Sequence, residues 1–310
     1  MRLSVVTTLF RSAGTVEEFH RRAAAAAGNL TDEYEIVMVV DGSPDDSLER
    51  ALSLQARDPH VVVVDLSRNF GHHPAMMAGL THATGDLVFL IDSDLEESPE
   101  WLADFDRVRQ DRGADVVYGV QGARKGGFLE RVTGWLFFST INLLLDHPLP
   151  RNVLTARLMT RRYVRALLRH RERQIVIAGL WVITGFDQVA VTVAKVARRH
   201  SAYTLRQRLA VMIRAVTSFS ARPLIYVVAM GLAISIVALG VTIYFLLGRL
   251  LWGRFLEGWL SVFLSIWLLG GLIIFSVGMV GVYVSHLFVE TKRRPLYLVR
   301  AVHRSPGGKA

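Results

Sequence analysis

Two stretches toward the C-terminal end set the tightest limit on what this chain can fold into. Pro223 to Leu247 contains no charged residue, and Trp259 to Leu287 has no Asp, Glu, Lys or Arg and a single histidine, His286. As helices, each reaches roughly 37 Å or more, beyond the ~30 Å hydrocarbon core of a bilayer. A long helix on a soluble protein carries charge along one face, and these do not. The expectation is two transmembrane helices, about residues 222–248 and 259–288, within a segment 222–290. The connector "GRLLWGRFLEG" is short, so they should form an antiparallel hairpin. Internal glycines (Gly231, Gly240, Gly270, Gly271, Gly278, Gly281) suit close helix packing in lipid, within one chain or between copies in a homo-oligomer. The tail that follows, residues 291–310, opens "TKRRPLYLVR". The positive-inside rule puts it in the cytoplasm, together with the N-terminal part. The start, "MRLSVVTTLF", has no signal-peptide pattern.

Charge narrows the partners. Lys and Arg number 36 against 27 Asp and Glu, a formal net charge of +9. That suits anionic lipid or phosphorylated substrates. Nucleic acid is disfavoured, because the basic groups lack interleaved aromatics and no recognition module is present. The absence of cysteine excludes thiol catalysis, disulfides and Cys-ligated zinc. No nucleophile-elbow motif supports Ser-His-Asp chemistry.

Residues 1 to about 120 alternate between strand and helix. The strand candidates are "LSVVTTLF", "YEIVMVVDGS", "HVVVVDLS", "DLVFLID" and "ADVVYGV". Between them lie helical stretches starting near Thr15, Asp45, His72 and Ser98, the last with Pro99 in its first turn. Continuous apolar strands alternating with helices predict a mostly parallel, Rossmann-like α/β sheet covered on both faces. Such sheets bind ligands at the carboxyl ends of their strands. Polar clusters stand there: Thr7–Thr8, Asp41–Gly42–Ser43 and Asp92–Ser93–Asp94. Two further stretches, 126–147 and 203–221, read as amphipathic helices lying at a membrane surface.

Asp92 and Asp94 are two apart, so on an extended strand they point the same way. Paired carboxylates repel unless a cation lies between them, and hard oxygen ligands suit Mg²⁺ or Mn²⁺. Asp41 can accept a hydrogen bond from a base or ribose, or can serve the turn; Asp45 and Asp46 read as caps. Arg68, just after the third strand, can neutralise phosphate or form a surface ion pair. His72 and His73 are adjacent and diverge by about 100° on a helix, which disfavours one shared metal. Arg124, Lys125 and Arg131, then Arg157, Arg161 and Arg162, then Arg198 and Arg199, gather near the amphipathic stretches and suit a lipid-linked phosphate. In "LIDSDLEESPE", Glu97 and Glu100 flank Ser98-Pro99 and read as carboxylates favouring a helix start.

Together, "VVDGSPDDS", "LSRNFG…AGL", "GDLVFLIDSDLEESPE", "DVVYGV" and "ETKRRPLYLVR" resemble family 2 glycosyltransferases of the GT-A fold. The closer similarity is to polyprenyl-phosphate glycosyltransferases, the group of dolichol-phosphate mannose synthase and the bactoprenol glucosyltransferases. This resemblance implies a catalytic domain over residues 1–202, at the cytoplasmic face of the inner membrane. It implies inverting transfer of a sugar from a nucleotide-diphosphate donor, expected to be a UDP-sugar, to a polyprenyl phosphate. By the same resemblance Asp41 binds the base and Asp92 the diphosphate; Thr7, Thr8, Leu9 and Arg68 are the further nucleotide-binding candidates. Asp92, Asp94 and Glu96 hold the metal, and Asp94 is catalytic. Arg124, Arg131 and Arg157 are the further catalytic candidates, expected with Arg198 and Arg199 to meet the acceptor phosphate. This chain departs from the family pattern at Glu96 (usually Gln), Gln121 (often Arg), Thr155 (usually Asp) and Ala202 (usually Lys). An acceptor other than polyprenyl phosphate, or a non-catalytic scaffold that binds nucleotide sugars, are the competing readings.

Overall fold

The structure is a computed structural model and describes residues 1–122, 152–172, 176–194, 222–252 and 258–305. The amphipathic stretches 126–147 and 203–221 lie outside the described residues, as do Arg124, Lys125, Arg131, Arg198, Arg199 and Ala202.

The chain divides into two compact units. The first holds residues 1–138, 149–204 and 293–310. Its first half alternates as the apolar runs predict: β1 (Leu3–Leu9), α1 (Val16–Gly28), β2 (Tyr34–Val40), α2 (Ser47–Arg57), β3 (Val61–Leu66), α3 (His72–His82), β4 (Leu87–Leu90), α4 (Trp101–Arg112) and β5 (Val116–Gln121). Then come β6 (Val153–Thr160), α5 (Arg161–Leu167), α6 (Ile177–Ile183) and β7 (Gln188–Val193). After the second unit the chain adds β8 (Val299–His303).

The sheet order is β7-β5-β6-β4-β1-β2-β3-β8. Strands β3, β2, β1 and β4 run parallel, and β7 is parallel to β5. β6 is antiparallel to both β4 and β5, and β8 is antiparallel to β3. Alternate side chains explain the two covered faces. Val5, Leu9, Ile36, Met38 and Phe89 join Phe19 of α1 and Phe105 of α4 in one core. Val6 and Val39 point the other way, against Gly79 of α3. A Cβ at Gly79 would stand 2.4 Å from Val6 Cγ1, so glycine lets the helix lie close on the sheet.

Residues 299–303 of the basic tail form β8, the edge strand beyond β3, where Arg300 pairs with the buried Asp65 at 3.2 Å. Thr155 and Arg157 lie in β6, between β4 and β5.

The second unit contains residues 139–148 and 205–292. Its described part is two long helices in contact with each other, α7 (Arg222–Trp252) and α8 (Trp259–Thr291). Among the described residues one segment, Leu268–Thr291, is long and apolar enough to cross a membrane. Its large side chains, such as Leu268, Ile274 and Val277, are exposed. No heavy atom lies within 4 Å of where a Cβ would stand at Gly270, Gly271, Gly278 or Gly281.

Candidate active site

Parallel pairing brings the carboxyl ends of β1, β2, β3 and β4 to one edge. Leu9 lies opposite Val40, Val6 opposite Leu90, and Val40 opposite Asp65. The candidate residues of four separate segments are thereby gathered.

β4 ends at Leu90, and Asp92-Ser93-Asp94 forms a turn rather than strand. The alternation argument for the two carboxylates therefore does not apply; local bonds position them instead. The buried Ser93 donates its Oγ to the Thr8 carbonyl at 2.9 Å and lies 3.2 Å from Ser12 Oγ. This ties the middle of the triplet to the end of β1. Asp94 Oδ1 accepts the Glu96 N–H at 2.9 Å, across Leu95 in the left-handed region (φ 63°).

Asp41 is buried and accepts the N–H groups of Phe70 and Gly71 at 2.7 and 2.9 Å. It therefore holds the loop between β3 and α3, in addition to any ligand role. Gly42 sits with φ 55° directly against this loop. A Cβ there would meet the backbone of Arg68 and Asn69 at 2.4 Å. Arg68 is exposed, with its guanidinium 4.0 Å from the centre of the Phe70 ring. Asp45 does more than cap. It accepts from Ala13 N, from the Ser43 and Ser47 hydroxyls and from Ser47 N, joining the β1 and β2 ends. Burial opposes its ionisation, but the Ser43 and Ser47 hydroxyls and the two N–H groups outweigh this and hold its pKa at about 2.

Thr7 and Leu9 are buried, and Leu9 O accepts the Asp41 N–H at 3.1 Å. Thr8 Oγ1 lies 3.1 Å from His72 Nδ1, and His72 Nε2 lies 3.3 Å from Asp92 Oδ1. His72 thus enters the site, while its ring is tilted 43° from that of His73, 6.0 Å away. Burial works against charge on His72, but Asp92, then Asp41 and Glu97, outweigh it and raise its pKa.

Glu97 overturns its reading as a helix-start charge. It is 1% exposed and accepts the Thr155 and Ala156 N–H groups of β6 at 3.1 and 2.7 Å. The helix itself starts two residues after Pro99, at Trp101, with no side-chain cap bond. Glu100 is the surface member, paired with Arg22 at 2.5 Å. Arg157 was expected at the acceptor phosphate beside Arg124 and Arg131. It is 1% exposed, packs over the Trp181 ring and makes long bonds to the Thr155 and Leu154 carbonyls at 3.4 Å. Burial pushes its pKa down to about 9, against the opposing pull of Tyr163, Tyr118 and Glu97.

Among the described residues no three His, Asp or Glu side chains converge on one metal position. The donor set still fits a cation that takes its other ligands from substrate. Asp92 Oδ1 is buried with no well-aligned hydrogen bond, as is Thr7 Oγ1. A shielded carboxylate oxygen without a donor is costly unless a cation meets it. Mg²⁺ and Mn²⁺ sites commonly use one or two carboxylates plus phosphate oxygens and water.

Residues 4–168 match the family model described as Glycosyl transferase family 2. The chain belongs to glycosyl transferase family 2. A glycosyltransferase-named protein of Mycobacterium tuberculosis (strain CDC 1551 / Oshkosh) is 50% identical over 98% of this chain and 89% of its own length. A prophage bactoprenol glucosyl transferase homolog of Escherichia coli (strain K12) is 30% identical over 98% of this chain and all of its own (100%). Among solved structures, a mannosyltransferase from Pyrobaculum calidifontis in complex with GDP-Man and Mn²⁺ aligns with a TM-score of 0.50 at 16% identity. That alignment covers 70% of this chain and 63% of the other, less than two thirds of its length, and shows likeness of fold alone. The family 2 catalytic unit here is a GT-A-like α/β fold with a mostly parallel sheet.

Proposed function

We propose that this glycosyltransferase moves a sugar from a nucleotide-diphosphate donor, a UDP-sugar in the first instance, to a polyprenyl phosphate at the cytoplasmic face of a membrane. The observation that carries this reading is the reach of the bactoprenol glucosyl transferase likeness. It extends over 98% of this chain, through the apolar helices and the tail as well as the catalytic unit.

The strand pairing supports the membrane part. β8 follows α8 and is hydrogen-bonded to β3. A chain that leaves the catalytic unit and returns to the same sheet crosses a bilayer an even number of times. One crossing by Leu268–Thr291 therefore calls for a second, and α7 is long enough to supply it.

The chemistry follows from the acceptor. A phosphate oxygen is ionised at neutral pH and attacks the anomeric carbon without a strong general base. The protein's work is then to position the two substrates. Asp41 with Arg68 receives the nucleotide, Asp92 and Asp94 with Glu96 hold the metal end, and Arg124, Arg131, Arg198 and Arg199 gather the lipid phosphate. Arg157 supports β6 from inside. When bound, a divalent cation supplies charge neutralisation to the departing diphosphate.

The test is incubation of the full chain in membranes with labelled UDP-sugars and polyprenyl phosphate. The expected product is lipid-extractable label, released by mild acid as a sugar phosphodiester is. Asp94→Ala should reduce it at least a hundredfold with the protein still folded. Label in a lipid without a phosphodiester, or full yield from Asp94→Ala, would overturn the reading.

A further inference from the structure

His72 opens the 11-residue helix α3, immediately after Gly71, whose φ of 99° turns the chain into the helix. Its imidazole stands between two strand ends. Nδ1 is 3.1 Å from Thr8 Oγ1, and Nε2 is 3.3 Å from Asp92 Oδ1. The second contact is close but poorly aligned as a hydrogen bond, and Asp92 Oδ1 is a buried oxygen with no hydrogen-bond partner. A nitrogen and an oxygen at this spacing have a second meaning. Two neighbouring ligands of an octahedral ion, each about 2.1 Å from it, are roughly 3.0 Å apart. Little movement would admit an ion between them.

The other ring nitrogen sets the tautomer. With Nδ1–H donated to Thr8 Oγ1, Nε2 presents its lone pair toward Asp92, the usual arrangement of a metal-bound histidine held by an outer hydrogen bond. Ser93 fixes the neighbouring backbone through the Thr8 carbonyl, so both ligands hang from the same tied pair of strand ends.

We propose that His72 Nε2 and Asp92 Oδ1 are adjacent ligands of the divalent cation, and that the imidazole favours Mn²⁺ and Co²⁺ over Mg²⁺. The proposal rests on the metal reading above and adds a nitrogen ligand to it. Imidazole binds first-row transition ions well, whereas Mg²⁺ keeps to oxygen ligands.

The experiment uses the full chain in detergent, free of any affinity tag, with Mn²⁺ alone and with Mn²⁺ plus UDP. Pulsed EPR should show nitrogen-14 coupling to bound Mn²⁺ in the unaltered protein and lose it in His72→Gln. Titration followed by the free-Mn²⁺ EPR signal should show at least tenfold weaker binding in His72→Gln. Mg²⁺ affinity, read by competition, should change less than threefold. Absence of nitrogen coupling in the unaltered protein, with Mn²⁺ affinity lost in Asp92→Asn, would overturn the histidine ligand and leave the carboxylate site standing. Unchanged Mn²⁺ affinity in both variants would overturn the two readings together. The coupling is measured on the unaltered protein, so it does not depend on a variant folding.

Discussion

Replacing Glu97 by Gln separates a surface charge from a buried bracket by magnitude. A carboxylate at an exposed helix start stabilises by about 0.3–1 kcal/mol. Glu97 instead is 1% exposed and accepts two β6 N–H groups at 3.1 and 2.7 Å. Glutamine keeps the shape, but only one of its two terminal atoms accepts. Its NH₂ faces the other N–H, so a buried donor loses its partner at a cost of about 1–3 kcal/mol. The buried Arg157 also loses a negative neighbour. Taken together and not simply added, the loss is about 3 kcal/mol, at the lower end for breaking a buried charge arrangement. At ~2–4 °C per kcal/mol for a domain of this size, the melting temperature should fall by roughly 6–12 °C. Tryptophan fluorescence follows the transition, because Trp181 packs on Arg157. Glu100→Gln is the internal comparison. Its pair with Arg22 is half exposed, at 53% on the Glu side, and should contribute under ~1 kcal/mol. Equal, small shifts in the two variants would refute the bracket.

Gly42→Ala should weaken nucleotide-diphosphate binding by at least tenfold in calorimetry. The left-handed backbone alone costs about 1–3 kcal/mol in alanine, and the new Cβ meets the Arg68–Asn69 backbone. Asp45, with its pKa held at about 2, stabilises the fold above the ordinary carboxylate range. That contribution, roughly 1–2 kcal/mol after allowance for solvent screening, is lost as pH falls from about 4 toward 2. Acid titration of Asp45→Asn should show a flatter limb across that window. Arg300→Ala removes the partner of buried Asp65 and a bond to the Ser67 carbonyl at 2.8 Å. Urea unfolding of this variant should show a loss of about 1–3 kcal/mol, and no change would mean that β8 is held by its backbone alone.

The apolar runs made β1 to β5 legible, because a strand buried on both faces leaves an uninterrupted signature such as Val61–Val64. The position of Asp92 and Asp94 at the end of such a run was legible for the same reason. What escaped was set by partners far along the chain. Glu97 meets Thr155 across 58 residues, and nothing near either one announces it. β8 is five residues set among basic ones, and an edge strand needs only one paired side to form. His72 was weighed against its neighbour His73, whereas its contacts come from the ends of β1 and β4. The "ESPE" segment did contain a helix start nearby, but the same two turns also carried a buried carboxylate. Local pattern favours the cap and tertiary contact decides otherwise.

The last strand of the sheet also fixes an order of events. A ribosome delivers β3 more than two hundred residues before β8, and both long helices emerge between them. Until residue 303 is made, the β3 edge lacks its neighbour and Asp65 lacks Arg300. The sheet of the catalytic unit is therefore completed only after both long helices have been made. If α7 and α8 form the membrane hairpin proposed above, insertion with the wrong polarity would leave the tail on the far side and the sheet one strand short. On that reading, pairing of β8 with β3 would close the sheet only in chains whose helices had entered the membrane the right way round.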